Sequence, residues 1–308
     1  MKIVYVSGVK FGYHLLDKIL KNNFKISTVF SYCDSKKSIY SDFASFDSIC
    51  NQFQIQNIKV DNINDEENIK ILKSLKPDLI LVMGWSQLLK KDVIEISRLG
   101  VIGSHPTELP KYRGRAPIPW SIIKELRRSA LTFFYIEEGI DNGDIFAQDF
   151  FSISSEDDAT SLYVRITNLG KQMIIKNLKL LQNNNAKRIK QDQSKFIEYW
   201  PKRIPDDGLI DWSKPCKEID ILIKATTHPY PGAFTFYKNK KIIIWNAIFN
   251  ETKISKPGKI LDVTNDSVAI GTLNGEIIIT NAETSTGNSI FSENIFTEND
   301  KSSRLDNY

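Results

Sequence analysis

Apolar positions in the first third of the chain switch between two periods. Lys2–Ser7 is a short β-branched stretch, Gly8 and Gly12 bracket a turn, and Phe11–Asn22 carries Tyr13, Leu16, Ile19 and Leu20 at helical spacing. A strand followed by an amphipathic helix is one βα unit, and the pattern recurs. Phe24–Tyr32, Ile58–Val60 and the nearly all-apolar Asp78–Met83 read as strands, whereas Ser45–Gln54, Glu66–Leu75 and Lys91–Ser97 read as helices. Strands this apolar are buried on both faces, so the alternation predicts an α/β fold with a Rossmann-like, doubly wound, mostly parallel sheet. Leu99–Ile102, Leu131–Ile136 and Ile145–Ile153 add strands, with a helix at Ile118–Leu126 between them.

The helical period returns over Asp158–Leu181, where Leu162, Ile166, Leu169, Met173, Ile174, Leu178 and Leu181 form one apolar stripe. Gln182–Gln193 is polar and basic and reads as a linker. A helix at Lys217–Thr226 and short strands at Lys241–Ala247, Gly258–Val263, Val268–Gly271 and Ile277–Thr280 predict a smaller OB-like β-barrel. The expected domains are thus 1–183, a linker 184–204, a barrel domain 205–282, and a polar segment 283–308 that is partly ordered at most or docks as a small appendage.

Charge and cysteine content narrow the function classes. Among 308 residues, 41 basic side chains against 37 acidic ones leave a formal charge of +4, too mild for an extended nucleic-acid surface. Cys33, Cys50 and Cys216 are too few and too scattered for a disulfide framework or a zinc site, so no metal is expected. No apolar run approaches the ~18 residues of a membrane span, and a cytoplasmic protein is expected. Gly8 and Gly12, with Asp34 after the second strand, lack the GxGxxG phosphate loop; they read as turn residues and a nicotinamide site is not indicated.

The densest chemistry lies in Gly100–Trp120, GVIGSHPTELPKYRGRAPIPW, a strand running into a loop with His105, Arg113, Gly114, Arg115 and four prolines. Loops at the carboxyl ends of strands are where open α/β sheets keep their sites. Glu137–Asp144 places four acids and two glycines behind another strand. A carboxylate beside an imidazole favours its charged form and orients the ring, which suits a general base. His14 sits on an ordinary helix, and His228, in a Pro-rich turn, reads as a pocket wall. Trp85–Leu89 is either a plain βα connection with Trp85 plugging the core or an edge whose backbone groups bind a planar heterocycle. Trp200, Trp212, Tyr230 and Trp245 can pack a core or stack on a base or sugar, with Tyr230 best placed to face a ligand.

The run His105-x-x-x-Leu109-Pro-Lys-Tyr-Arg-Gly-Arg-Ala-Pro117 followed by Asp141-x-Gly143 resembles the 10-formyltetrahydrofolate-dependent formyltransferases. Pro205-Asp-Asp-Gly-Leu-Ile-Asp-Trp212 and Pro229-Tyr-Pro-Gly-Ala-Phe234 resemble that family's carboxyl-terminal domain, so the likeness covers residues 1–282. The resemblance implies formyl transfer from 10-formyltetrahydrofolate to a primary amine, with His105 as the base and Asp141 as the carboxylate that orients it. It implies folate-binding positions at Gln87, Leu88, Leu89 and Arg115 and at Glu137, Glu138, Gly139, Ile140 and Asp141. One departure stands out: Gly103 occupies the place of the family's oxyanion-holding asparagine. Ser104, a backbone N–H near Gly103 or an ordered water is left to supply the donor.

Within the family the loop and the Pro205-Asp-Asp-Gly block look closer to the enzymes that formylate nucleotide-linked amino sugars, in particular the module acting on UDP-4-amino-4-deoxy-arabinose. A nucleotide sugar is therefore the expected partner, with Arg113 and Tyr230 as candidate substrate contacts, Arg113 reading alternatively as structural and paired with an acid of the loop, no nucleic acid and no membrane, and a homodimer as the assembly. The alternatives are methionyl-tRNA formylation, hydrolysis of formyltetrahydrofolate, and a non-catalytic folate- or nucleotide-binding relative.

Overall fold

The computed structural model describes residues 1–252 and 256–307; residues 253–255 of the expected barrel domain and Tyr308 of the expected tail lie outside them. The chain divides into two compact units, the first made of residues 1–117, 127–154 and 163–202. Its elements are β1 (Ile3–Val6), α1 (Lys10–Lys21), β2 (Ile26–Tyr32), α2 (Asp47–Gln52), β3 (Gln56–Val60), α3 (Glu66–Leu75), β4 (Leu79–Val82), α4 (Lys91–Ile94), β5 (Val101–His105) and β6 (Tyr112–Gly114). After α5 (Pro117–Ile123), which from Ile118 belongs to the second unit, come β7 (Arg128–Tyr135), β8 (Ile145–Ser152), α6 (Ala159–Gln182), of which the part from Tyr163 onward belongs to the first unit, and β9 (Glu198–Trp200). Seven strands form one sheet in the order β3-β2-β1-β4-β5-β7-β8. The first five of that order are parallel; β7 and β8 join antiparallel. This is the mostly parallel sheet that the apolar strands imply, and Val4, Val6, Phe30, Ile80, Val82 and Val101 make its core.

The glycine turn after β1 is a packing device. A Cβ on Gly8 would fall 2.0 Å from the Tyr32 ring, and one on Gly12 would fall 1.9 Å from Ser7 Oγ. The N-terminus of α1, where a dinucleotide fold holds its pyrophosphate, is filled by the chain itself. Lys10 N donates to Asp42 O at 2.8 Å, and Phe11 N donates to Tyr163 Oη at 2.8 Å, whose hydroxyl in turn donates to Asp42 Oδ2.

Residues 184–202 of the expected linker lie in the first unit. β9 pairs in parallel with β6, Arg113 opposite Tyr199 and Gly114 opposite Trp200, and Ile189 exchanges two backbone hydrogen bonds with Ile145. Strands of three residues drawn from such distant stretches leave no period to read, and the polar composition that suggested a linker is spent on hydrogen bonds within this unit.

The second unit comprises residues 118–126, 155–162 and the chain from Arg203 onward. It contains α7 (Cys216–Thr226), β10 (Ala233–Tyr237), β11 (Lys240–Glu251), β12 (Ile260–Val263), β13 (Val268–Gly271) and β14 (Gly275–Thr284). The sheet is antiparallel with order β10-β11-β14-β13-β12, and Trp212, Ile219, Ile223, Ile242, Ile244, Ile277 and Ile279 fill its core. β10 falls partly within the Pro229–Phe234 motif and was not among the expected strands.

Of the polar segment 283–308, the described residues up to 307 are ordered and dock on the sheet of the second unit. Ile290, Ile295, Phe296 and Leu305 belong to the same core, with Phe296 stacked on Tyr237 at 4.6 Å. Ser302 N donates to Ile260 O, Ile260 N to Ser303 O and Leu305 N to Gly258 O at the β12 side, while Asp306 N donates to Phe236 O on β10. The segment thus bridges the two outer strands. Asp300, itself buried, collects donors from Tyr237 Oη (2.7 Å), Lys238 Nζ (2.8 Å), Thr297 N (2.7 Å) and Thr297 Oγ1 (2.8 Å). The anchoring apolar residues are separated by polar runs that match neither a strand nor a helix, which is why the sequence pattern reads as a tail.

Candidate active site

β5 outruns its neighbour. Val82, the last residue of β4, pairs with Gly103, so Ser104 and His105 project past the end of β4 at the carboxyl edge of the sheet. On the other side β7 continues, with Gly103 opposite Phe134 and His105 opposite Thr132. Strand alternation puts Gly103 and His105 on one face and Ser104 on the other. Ser104 is therefore turned away from the imidazole, which removes its hydroxyl from the candidates for the oxyanion.

The acid-rich turn after β7 folds back along β5 on the His105 face. A Cβ on Gly103 would lie 2.9 Å from Ile136 Cδ1, so the missing side chain is what admits Ile136 there. Five residues later the turn delivers Asp141, whose Oδ2 lies 3.7 Å from His105 Nδ1 and accepts a hydrogen bond from Gly114 N at 2.9 Å. Asp141 adopts φ +48°, in the left-handed region that non-glycine residues enter at a cost, so the turn is held by its surroundings.

His105 is 5% exposed, and its Nε2 lies 3.0 Å from Tyr112 O. A carbonyl only accepts, so Nε2 carries the hydrogen of that bond, and in the neutral ring the free lone pair is on Nδ1. Nδ1 faces the Asp141 carboxylate across a gap longer than a hydrogen bond. The arrangement can accept a proton at Nδ1 and meet the resulting charge with a carboxylate. Thr107 Oγ1 also donates to Tyr112 O at 2.7 Å, and Thr132 Oγ1 donates to Thr107 O at 2.6 Å, which ties the loop to β7.

Arg113 is not available to a substrate. It is 4% exposed; Nε and Nη2 donate to Gln191 Oε1 at 3.2 and 2.7 Å, and Nη2 also to Gln193 Oε1 at 2.9 Å. Arg115, the next basic residue of the loop, is exposed. In the turn, Glu137 pairs with Arg188 at 3.0 Å, Glu138 O accepts from Asn142 Nδ2 at 2.9 Å, Gly139 has φ +115°, and Ile140 is 41% exposed. Tyr230 lies in the second unit, half-buried in the turn before β10.

After β4, Trp85 stacks on Tyr32 at 3.8 Å, and Tyr32 stacks on Tyr40 at 4.5 Å. Burial pushes the Tyr32 phenol well above its usual range, and its oxygen accepts from Ser86 N at 3.1 Å. Gln87 donates through Nε2 to Asp61 O at 2.6 Å and accepts at Oε1 from Ile63 N at 3.1 Å, which locks the loop after β4 to the one after β3. Leu88 is left 67% exposed, while Leu89 packs on the sheet core. Trp85 thus packs as the first reading of this stretch has it, while at the edge Ser86 N donates to Tyr32 Oη and Leu88 O accepts from Asn64 Nδ2 at 2.9 Å. Leu88 and Ile140 are thus the exposed large apolar side chains of the two loops.

Three residues of the site went unnoticed in sequence: Thr107, Tyr112 through its carbonyl, and Gln191. A backbone carbonyl and an amide in a polar run have no pattern to betray them. Among the described residues no group of three or more His, Cys, Asp or Glu is placed to hold a metal ion, and no helix is long and apolar enough to cross a membrane.

Comparison with known proteins gives the site a context. Residues 1–178 match the family model described as formyl transferase, and residues 203–299 match formyl transferase, C-terminal domain. The chain is 34% identical over 276 residues to the methionyl-tRNA formyltransferase of Alkaliphilus oremlandii, covering 88% of each. It is 32% identical over 262 residues to the bifunctional polymyxin resistance protein ArnA of Wigglesworthia glossinidia brevipalpis, covering 85% of this chain and 40% of ArnA. Among solved structures, the N-formyltransferase of Helicobacter canadensis in complex with folinic acid and dTDP-3-aminofucose superposes with a TM-score of 0.66 at 21% identity, over 92% of this chain and all of that one, a likeness of fold.

Proposed function

The chain belongs to the formyl transferase family, and on that premise we propose that it is an N-formyltransferase moving the formyl group of 10-formyltetrahydrofolate to the primary amine of a nucleotide-linked amino sugar. The observation that carries the reading is the His105–Asp141 pair, held at the carboxyl edge of the sheet by Gly114 N and Tyr112 O. An amine attacks only as the neutral base, so a group must take its proton as the C–N bond forms. Nδ1 of His105 receives that proton, Asp141 stabilises the charged ring, and the proton passes on to the departing folate nitrogen. The folate supplies the activated formyl group. Leu88 and Ile140 provide apolar surface for its ring system, and Arg115 an exposed cation for its carboxylates.

Three points favour the amino sugar: the modest net charge, the loop and Pro205-Asp-Asp-Gly blocks, and folds that accept dTDP-linked sugars. Methionyl-tRNA is the second reading, favoured by the name of a 34%-identical relative. Turnover assays with 10-formyltetrahydrofolate and a panel of UDP-, dTDP- and GDP-linked amino sugars plus methionyl-tRNA separate the two. Formylation of one sugar and not of the tRNA is expected; formylation of the tRNA alone overturns the assignment, and formate release with no amine present points to hydrolysis.

Gly103 makes a prediction of its own. Gly103→Asn restores the family residue but brings its Cβ against Ile136, and overpacking of this kind costs about 1–3 kcal/mol. Ile136→Ala in the same chain opens the space, so a urea-denaturation cycle over the two positions yields a coupling energy of about 0.5–3 kcal/mol. Strictly additive losses would mean that Ile136 does not occupy the asparagine's place.

A further inference from the structure

We propose that Gln191 is a positioning residue for the His105–Asp141 pair, its side-chain amide tying buried Arg113 to the backbone of the turn that presents Asp141. This rests on the reading of His105 as the base and adds to it a residue from a stretch whose composition suggests only a linker. Gln191 is 7% exposed and every polar atom of its amide is used. Oε1 accepts from Arg113 Nε and Nη2, which fixes the amide's orientation, since a flipped amide would set N–H against guanidinium. Nε2 then donates to Asp141 O at 2.7 Å and to Gly143 O at 2.7 Å.

Those two carbonyls bracket Asn142, directly after the left-handed Asp141. The neighbouring residue on β6, Gly114, donates its N–H to the Asp141 carboxylate. One short strand therefore holds Asp141 twice, through its side chain by way of Gly114 and through its backbone by way of Arg113 and Gln191. Phe196 covers the guanidinium at 5.4 Å from its ring centroid. The 3.7 Å spacing between Asp141 and His105 is set by this frame rather than by a direct bond, so loosening the frame moves the carboxylate relative to the ring.

Gln191→Glu is the discriminating substitution. It keeps oxygen acceptors for Arg113, so the segment stays docked, but it turns an oxygen toward the carbonyls of Asp141 and Gly143. Expected is a fall in kcat of about ten- to a hundredfold with KM for the folate within about twofold. A second readout needs no substrate: the imidazole NMR signals of His105, identified by their loss in His105→Ala. Gln191→Glu is expected to move them in the same direction as Asp141→Asn does and to leave those of His14 and His228 in place. Gln191→Met, of similar length and without donors, is measured in parallel and gives the same result if the glutamate variant does not fold. His105 signals that stay at their wild-type positions in the folded Gln191 variants, while Asp141→Asn shifts them, overturn the proposal. Full turnover of Asp141→Asn would instead sink the catalytic reading and leave the Gln191 coupling to be judged on the spectra.

Discussion

His105→Ala lowers kcat for formyl transfer by about 10²–10⁴-fold and leaves KM for the folate within a few-fold of wild type. The magnitude is that of a positioned base, without which the amine must lose its proton to water. The loss is chemical rather than structural, because the bond His105 makes to Tyr112 O is doubled by Thr107 Oγ1, so the loop keeps an anchor when the ring is gone. Asp141→Asn keeps the acceptor oxygen for Gly114 N but removes the charge facing Nδ1, and is expected to cost less than the histidine. Steady-state kinetics on both variants check this, with unchanged circular dichroism as the control. A His105→Ala enzyme within threefold of wild type would show that proton removal lies elsewhere.

Asp300→Ala destabilises the second unit by about 2–4 kcal/mol, because four donors lose one buried acceptor at once. For a domain of this size that corresponds to a fall in melting midpoint of about 10 °C or more. Burial alone would raise the Asp300 carboxyl, but the hydrogen bonds from Lys238, Tyr237 and Thr297 outweigh it and hold the group well below the usual carboxylate range. A depressed folded value means that the ionised carboxylate stabilises the native state at neutral pH. That contribution is complete above the ordinary carboxylate range and drains away as the pH falls through it toward the low folded value. The wild-type melting midpoint should therefore decline below about pH 4, and Asp300→Asn should start lower and decline less. Parallel curves for the two proteins would remove Asp300 from the account.

What the sequence discloses and what it hides divide along physical lines. β1 and β4 are legible because strands buried on both faces are apolar throughout, and α1 because Leu16, Ile19 and Leu20 fall on one face. His105 and Asp141 are legible as chemistry, since a histidine among prolines and arginines and an acid-rich turn are unusual as packing. Gln191 is hidden because its work is done on backbone carbonyls, and of the two roles the loop leaves open for Arg113 its burial favours the structural one, with amide oxygens rather than a loop acid as partners. The pairing of β6 with β9 and the docking of Ile290, Phe296 and Leu305 depend on partners far off in the chain, and local periodicity carries no record of them.

The segment 302–306 that spans the outer strands β10 and β12 also governs how this protein can associate with itself. Unpaired N–H and C=O groups on an edge strand are a template for any other extended chain, and here Phe236 O, Ile260 N and O and Gly258 O are already taken by the chain's own residues. Stripped of that cover, β12 would present its outer backbone groups as such a template, while β10 would keep only the pairing of Leu209 and Ile210 with Phe234. The segment thus acts as a guard against intermolecular β-pairing, and its loss would register as concentration-dependent aggregation before any fall in strand content.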